Sequence, residues 1–282
     1  MIHEKITIQE PSSQPEGAYM TTYFWEESKE LYPGQKRPVI LICPGGAYRM
    51  TSDREAEGVA LRFMAEGYHT AVLRYSTAPA RHPVPLLQLA KAVSILKKNR
   101  ETWLIEKDSV ILMGFSAGGH LAASLGVFWN RPWLAEKLNL PREQFRPAGM
   151  ILSYPVITSG EYGHKESFQN LLGDRYEEQK EELSLEKQVT PETPRTFLWH
   201  TMEDTTVPME NSLLFLQALR RNSVPAEYHL FPRGKHGVGL GCELTAGLDG
   251  SGIAPGADAW SDLAVKWLLK EFPWWNPEKG SR

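Results

Sequence analysis

The sequence predicts an α/β protein with a doubly wound, mostly parallel eight-stranded sheet and small cap insertions. Three observations support this fold class. Short apolar runs alternate with longer segments whose apolar residues recur at helical spacing, as expected of βαβ units. Glycine-rich turns directly follow two of the apolar runs. The chain has 282 residues, of which 41% are hydrophobic, so it can bury the core of one large α/β domain.

The first half of the chain contains five predicted strands and three predicted helices. Residues 5–10 and 19–26 are rich in β-forming side chains on either side of a Pro/Ser/Gly stretch, which is typical of strands joined by a loop. Residues 38–43 are apolar throughout, as in a strand buried on both faces of a parallel sheet. The same patterns predict strands at 69–75 and 110–113, and helices at 56–64, 85–98 and 117–127.

The second half continues the alternation and adds two irregular segments. It contains three predicted strands and two predicted helices, at 148–154, 195–200 and 226–231 and at 209–221 and 259–270. Residues 129–147 and 158–194 interrupt the pattern, and long insertions in a compact α/β domain tend to form lids or binding loops. We therefore expect a single domain over residues 1–282, with cap insertions near 129–147 and 158–194.

Composition and charge disfavour several classes of function. The 31 Lys and Arg residues against 34 Asp and Glu give a net charge of −3, so the chain lacks the basic excess of a nucleic-acid-binding protein. Its two cysteines cannot form a disulfide framework or a four-cysteine zinc site. No membrane span is expected, and residues 1–10 lack the apolar run of a secretory signal. A cytoplasmic protein is expected, and a homo-oligomer is left open.

The segment Gly114-Phe115-Ser116-Ala117-Gly118 matches the pattern G-x-S-x-G. It follows a predicted apolar strand and precedes a predicted helix of small residues, which is the setting of a nucleophile elbow. A tight turn there would expose the Ser116 hydroxyl. The N-terminus of the helix would present free backbone N–H groups to a developing oxyanion.

A serine nucleophile needs a base and an acid that orients the base. Among eight histidines, His236 is the preferred base because it follows the last predicted strand in a loop that can reach the cleft. His120, four residues after the serine, is the next candidate. Asp204 follows strand 195–200 at its carboxyl end, where catalytic groups gather in such sheets. Glu203 is its main rival, and a helix-capping role for Asp204 is also considered.

A second glycine-rich turn, Pro44-Gly45-Gly46-Ala47-Tyr48, follows strand 38–43; residues 44–48 are called the glycine loop below. This loop can present the N–H groups of Gly46 and Ala47 to an oxyanion beside the N–H group of Ala117. An ordinary glycine turn is the alternative. Tyr48 is also a candidate substrate contact.

Several aromatic residues lie in the irregular parts of the chain, where they could border a binding cleft. We expect some of them to lie beside Ser116, where a sugar ring could stack on them: Trp129, Trp133, Tyr162 and Tyr176. If all of them lie far from the serine, their role is packing.

With these motifs the sequence resembles the α/β-hydrolase superfamily over nearly its whole length. CPGGAY resembles the His-Gly-Gly-Gly segment of the hormone-sensitive-lipase-like esterases, and GFSAGGHLA, HTMEDTTVP and GKHG are similar to segments of small carbohydrate esterases. The family resembled is that of the acetyl xylan and bifunctional feruloyl and acetyl xylan esterases. By motif, the resemblance implies Ser116 as nucleophile, His236 as general base and Asp204 as the orienting acid.

The resemblance implies a serine carboxylic-ester hydrolase that removes a short acyl group, expected to be acetyl, from a small acylated carbohydrate. The reaction would pass through an acyl-enzyme and would need no cofactor or metal. A serine peptidase of the prolyl-oligopeptidase-like type, which has the same order of catalytic residues, is one alternative. A non-catalytic receptor with a hydrolase fold is another, although its usual mark is a broken triad.

Overall fold

Eight strands form the central sheet: β1 (Lys5–Thr7), β2 (Tyr19–Tyr23), β3 (Arg37–Cys43), β4 (His69–Arg74), β5 (Ile105–Phe115), β6 (Gly149–Ser153), β7 (Arg195–Thr201) and β8 (Ala226–Phe231). The computed structural model describes residues 1–9 and 17–275. The strand order is β1-β2-β4-β3-β5-β6-β7-β8. The β1–β2 and β2–β4 pairs are antiparallel, and every other pair is parallel. The predicted fold class is confirmed.

Helices cover both faces of the sheet: α1 (Glu57–Ala65), α2 (Val84–Lys98), α3 (Ser116–Phe128), α4 (Pro132–Leu138), α5 (Lys165–Leu172), α6 (Tyr176–Gln179), α7 (Glu210–Arg221) and α8 (Trp260–Glu271). Buried side chains of α1 and α8 form one core layer, and those of α2, α3 and α7 form the other. Strand β3 contributes Val39 and Leu41 to one layer and Ile40 and Ile42 to the other. Its continuous apolar run therefore reflects burial on both faces.

The topology brings four loops to one edge of the sheet. Strands β3, β5, β7 and β8 are parallel to one another, so their carboxyl ends share that edge. The segments that follow them hold the glycine loop, Ser116, Asp204 and His236. This is the side of an open α/β sheet where ligands bind.

The largest differences from the sequence-based prediction concern β5 and the insertions. Strand β5 runs from Ile105 to Phe115 rather than over 110–113, and its early part is exposed at charged residues such as Lys107 and Asp108. Those side chains conceal the strand from a search for apolar runs. Glu10, the last residue of the first predicted strand, lies outside the described residues.

The two insertions contain short helices and lie in different places. Helix α4, in the first insertion, packs against α2 and contributes Leu134 and Leu138 to the core. Helices α5 and α6 lie in the second insertion, and only this insertion contributes residues to the cleft described below. Residues 129–147 contribute none of the residues that line this cleft. Within residues 1–9 and 17–275, no helix combines the length and the apolar content that a membrane crossing requires.

Candidate active site

Ser116 lies at a sharp turn between β5 and α3. Its φ angle is 52°, in the left-handed region that non-glycine residues rarely adopt. The turn is possible because glycines flank the serine. A Cβ atom on Gly118 would lie 2.0 Å from the Cys43 carbonyl oxygen, and one on Gly114 would lie 2.3 Å from that of Gly118. The glycines thus allow the elbow to pack directly on the end of β3.

His236 links this serine to Asp204 by hydrogen bonds. The Nε2 atom of His236 lies 2.7 Å from Ser116 Oγ, and its Nδ1 atom lies 2.7 Å from Asp204 Oδ2. Because a carboxylate only accepts hydrogen bonds, Nδ1 carries the proton and Nε2 accepts from the Ser116 hydroxyl. In the sequence His236 lies 120 positions after Ser116 and 32 positions after Asp204. The fold brings the three side chains into one hydrogen-bonded series of carboxylate, imidazole and hydroxyl.

Asp204 is buried, with 5% of its surface exposed, and is held as a carboxylate by its hydrogen bonds. Its Oδ1 atom accepts from the N–H groups of Thr206 at 3.0 Å and Val207 at 2.9 Å. Burial alone would raise its pKa, but hydrogen bonds from His200, His236 and Val207 outweigh burial and hold the pKa well below its usual range. The carboxylate therefore stays charged and can stabilise a protonated His236.

The glycine loop lies beside Ser116 in a strained conformation. Gly46 has a φ angle of 125°, and the non-glycine residues Ala47 and Tyr48 both have φ angles of 55°. Within the part of the chain that the structure describes, the N–H groups of Gly46 and Ala47 have no hydrogen-bond acceptor. The N–H group of Ala117, in the first turn of α3, also has no acceptor within its helix. The loop and the helix thus offer free donors near the serine.

Ser116, His236 and the glycine-loop residues Gly46 and Ala47 border a cleft of about 310 Å³. Thirteen residues line it, and apart from two glycines its only apolar side chains are Ala47 and Met50. Helix α5 and the residue before it add Glu166 and His164 to the wall. Glu166 pairs with Arg49 across the cleft at 3.3 Å. The cleft is therefore small, and most of the side chains that line it are of polar residues.

The side chains of Tyr48, the last residue of the glycine loop, and of His120 contact each other and do not line the cleft. Tyr48 is only 2% exposed, and its hydroxyl oxygen lies 2.9 Å from His120 Nδ1. His120 Nε2 lies 2.9 Å from the Leu183 carbonyl oxygen and so must donate to it, which leaves Nδ1 to accept from Tyr48. Burial lowers the pKa of His120 to about 4. Tyr48 is thus a structural residue rather than a substrate contact, and His120 is not bonded to the serine.

The aromatic residues expected at the cleft do not line it. Trp129 is buried, and its indole N–H donates to the Glu192 carbonyl oxygen. Trp133 and Tyr176 pack against the core layer beneath α3. Tyr162 contacts Asn211 through its main-chain carbonyl group. An aromatic side chain in a loop can cover a core as well as bind a ligand. Here Trp129, Trp133 and Tyr176 pack against the core.

The rival acid and two residues not singled out in the sequence support these loops. Glu203 accepts a hydrogen bond from the Gly234 N–H group at 3.1 Å. It therefore bonds to the loop that carries His236 but not to the imidazole. Asn170 on α5 donates to the Ala47 carbonyl oxygen at 2.9 Å. Glu55 contacts the N–H group of Gly45 at 2.7 Å. Neither Asn170 nor Glu55 belongs to a motif, because their partners are distant or are backbone groups.

A mostly parallel eight-stranded sheet with a serine at the strand–helix turn after β5 defines an α/β hydrolase. The order of Ser116, Asp204 and His236 along the chain agrees with this class. The BD-FAE family profile matches residues 30–219, which is more than half of the chain. The chain therefore belongs to the BD-FAE family.

Similar proteins include esterases of acetylated carbohydrates. The chain is 41% identical over 213 residues to endo-1,4-beta-xylanase B of Butyrivibrio fibrisolvens, a match covering 72% of this chain and 33% of that protein. It is 28% identical over 209 residues to an acetylxylan esterase of Xylanibacter ruminicola, covering 72% and 41%. The chain thus spans well under half the length of these two relatives.

A solved structure agrees over almost the full chain. The acetyl ester-xyloside bifunctional hydrolase of Caldicellulosiruptor lactoaceticus is similar with a TM-score of 0.81 and 32% sequence identity. The match covers 95% of this chain and 96% of that one. Fold and family are therefore those of the α/β-hydrolase esterases.

Proposed function

We propose that the protein is a serine carboxylic-ester hydrolase that removes a short acyl group, acetyl in particular, from a carbohydrate. The observation that carries this proposal is the chain of two 2.7 Å hydrogen bonds that joins Ser116 to His236 and His236 to Asp204. A receptor without activity would not need this hydrogen-bonded arrangement, so the catalytic function is preferred.

In this mechanism His236 Nε2 takes the proton of the Ser116 hydroxyl as Oγ attacks the ester carbonyl carbon. The N–H groups of Gly46, Ala47 and Ala117 stabilise the resulting oxyanion, and each such donor is worth about 2.7–4 kcal/mol of barrier. His236 then protonates the leaving alcohol as the carbon–oxygen bond breaks, leaving an acyl-serine. Water, deprotonated by the same imidazole, attacks the acyl-serine and releases the carboxylic acid.

The cleft supports a short acyl group. A longer chain would gain about 0.8 kcal/mol for each CH₂ group buried against apolar surface, but Ala47 and Met50 are the only apolar side chains in the lining. The proposal that the alcohol part of the ester is a carbohydrate rests on the similar proteins, two of which are named for acetylxylan or an acetyl ester-xyloside. Polar side chains in the lining, such as Arg49 and Glu166, suit a leaving group rich in hydroxyls.

The test compares Ser116→Ala with a matched variant, Ser109→Ala, which changes a serine within β5 rather than at the turn that follows this strand. With 4-nitrophenyl acetate we expect Ser116→Ala to lose about 10⁴-fold or more in kcat/KM and Ser109→Ala to equal wild type. Acetylated xylo-oligosaccharides should release acetate, and a fluorophosphonate should label Ser116. Equal activity of Ser116→Ala and wild type would refute the mechanism. Faster cleavage of an aminoacyl 4-nitroanilide than of any acetyl ester would favour a peptidase.

A further inference from the structure

A buried carboxyl group outside the Ser–His–Asp chain lies in the wall of the cleft. Glu55 precedes α1 and is 3% exposed, yet it borders the same cleft as Ser116. Its Oε2 atom and the Cβ atom of Ser116 both lie 2.8 Å from the position that a Cβ atom on Gly45 would occupy. Burying a carboxyl group is costly unless it is hydrogen-bonded. The contacts of Glu55 therefore indicate what it does.

Both oxygens of Glu55 accept hydrogen bonds, and they accept from two different loops. Oε2 accepts from the Gly45 N–H group at 2.7 Å. Oε1 accepts from the Tyr154 hydroxyl at 2.8 Å. The same hydroxyl oxygen accepts from the N–H group of Gly239 at 2.9 Å. A continuous hydrogen-bonded path thus joins the glycine loop to the loop after β8 that carries His236.

The two loops joined in this way are those whose geometry the reaction requires. Gly45 directly precedes Gly46 and Ala47, whose N–H groups have no acceptor among the described residues. Ala47 has a positive φ angle, and such a conformation costs about 1–3 kcal/mol unless its surroundings hold it. On the other side, the Tyr154 ring packs edge-on against the His236 imidazole, with 5.1 Å between ring centroids. Glu55 is placed to hold both.

The electrostatic surroundings fit a carboxyl group that is held in place by its partners. Burial raises the pKa of Glu55, while the hydrogen bonds from Tyr154 and Gly45 and the nearby His236 and Arg54 oppose that rise. Arg54 itself donates to the Gly237 carbonyl oxygen at 3.1 Å, so it also contacts the loop of His236. Removing the Glu55 side chain would leave a buried N–H group and a buried hydroxyl without their acceptor.

We propose that Glu55 is a positioning residue that holds the oxyanion-binding loop and, through Tyr154, the loop of the catalytic histidine in one arrangement. This inference rests on the proposed function, because it assigns Glu55 a role in that reaction. Its effect should fall on kcat rather than on KM. The N–H groups that Glu55 orients act on the oxyanion, which exists only after the serine has attacked.

The test uses three substitutions and one matched control in the full-length protein, with 4-nitrophenyl acetate as substrate. Glu55→Ala should lower kcat about 100-fold, with KM within threefold of wild type. Glu55→Gln keeps one acceptor for the Gly45 N–H group, so its kcat should be about tenfold higher than that of Glu55→Ala. Tyr154→Phe should lower kcat about tenfold. Glu186→Gln alters a partly buried glutamate that is bonded to Thr158 outside the cleft, and should leave kcat unchanged.

Two further measurements test the link itself. In the Glu55→Ala/Tyr154→Phe double variant, kcat should be no lower than in Glu55→Ala, because Glu55 acts on the loop of His236 through the Tyr154 hydroxyl. A trifluoromethyl ketone, which forms a tetrahedral adduct with the serine, should lose affinity in proportion to kcat across the series. Thermal unfolding shows which variants are folded; if Glu55→Ala does not fold, Glu55→Gln and Tyr154→Phe decide.

The inference is overturned if a folded Glu55→Ala keeps kcat within threefold of wild type. It is also overturned if the losses in the two single variants multiply in the double variant. A wild-type protein that hydrolyses no ester any faster than Ser116→Ala would instead overturn the proposed function. If the wild-type protein is active and the Glu55 variants have the same kcat, only the role of Glu55 is overturned and the proposed function stands.

Discussion

Replacing Tyr48 with phenylalanine separates a structural role of this side chain from a role in substrate binding. The substitution removes the hydroxyl that lies 2.9 Å from His120 Nδ1 and leaves the ring in place. His120 has a pKa lowered to about 4 by burial, so at pH 7 the imidazole is neutral. Its Nδ1 atom then keeps a lone pair that has lost its donor.

The expected cost follows from that orphaned acceptor. A buried acceptor without a donor costs about 1–3 kcal/mol, and a value of about 2 kcal/mol corresponds to a decrease in Tm of roughly 4–8 °C in a protein of this size. The matched control is Tyr228→Phe. Among the described residues the buried Tyr228 hydroxyl has no hydrogen-bond partner, so its removal should be neutral or slightly stabilising.

The assay is urea denaturation at pH 7 for both variants, together with KM for 4-nitrophenyl acetate. We expect Tyr48→Phe to be destabilised and to keep KM within twofold of wild type. A KM increase of fivefold or more at unchanged stability would mean that Tyr48 contacts the substrate. Equal stability losses in Tyr48→Phe and Tyr228→Phe would refute the argument from the orphaned acceptor.

Three other predictions concern the acid, the pH range and the elbow. Asp204→Asn should lower kcat about 10⁴-fold at pH 7 with little change in KM; a loss below tenfold would contradict its role. Stability should fall between pH 6.5 and about 4, by up to about 1.4 kcal/mol per pH unit for each histidine with a pKa lowered to about 4 by burial, namely His69, His82 and His120. The reason is that below pH 6.5 these histidines bind protons in the unfolded chain but not in the folded chain. A free energy of unfolding that stays constant from about pH 6.5 to 4.5, measured by urea titration, would contradict this prediction. Gly118→Ala should fail to yield folded protein, whereas Gly34→Ala, at a φ angle of 66° with open space around it, should lose only about 1–2 kcal/mol; soluble expression and circular dichroism distinguish them.

The sheet and the meeting of Ser116, Asp204 and His236 could be predicted because their signals are local. Ser116, Asp204 and His236 each follow a predicted strand, and parallel strands bring their carboxyl ends together. The hydrogen bonds that join the three residues remained a prediction from order and loop position until the fold placed them. Local pattern thus predicts which loops meet.

What could not be predicted depends on partners far away in the chain. Tyr48 bonds to a histidine 72 residues later, and Glu55 bonds to a tyrosine 99 residues later. A tyrosine in a loop looks the same whether its hydroxyl is buried against a histidine or faces a sugar. Trp129 and Trp133 were similarly ambiguous, because covering a core and binding a ring require the same side chain.

The insertions illustrate the same limit at the level of elements. Residues 129–147 and 158–194 have equally irregular patterns, yet only the second contributes to the cleft wall. Helix α5 does so because Asn170 bonds to the glycine loop and Glu166 pairs with Arg49. Both contacts depend on where the helix packs, which composition alone does not determine.

The close contact of main chain with main chain at the elbow has a consequence for how this protein can change over generations. Gly118 brings α3 against the carbonyl groups of Cys43 and Pro44, so no side chain lies between the first turn of α3 and the end of β3. Residues such as Arg49 and His164 occupy the rim instead. Mutation can therefore alter what the cleft accepts, while the main-chain distances at the elbow are inherited unchanged.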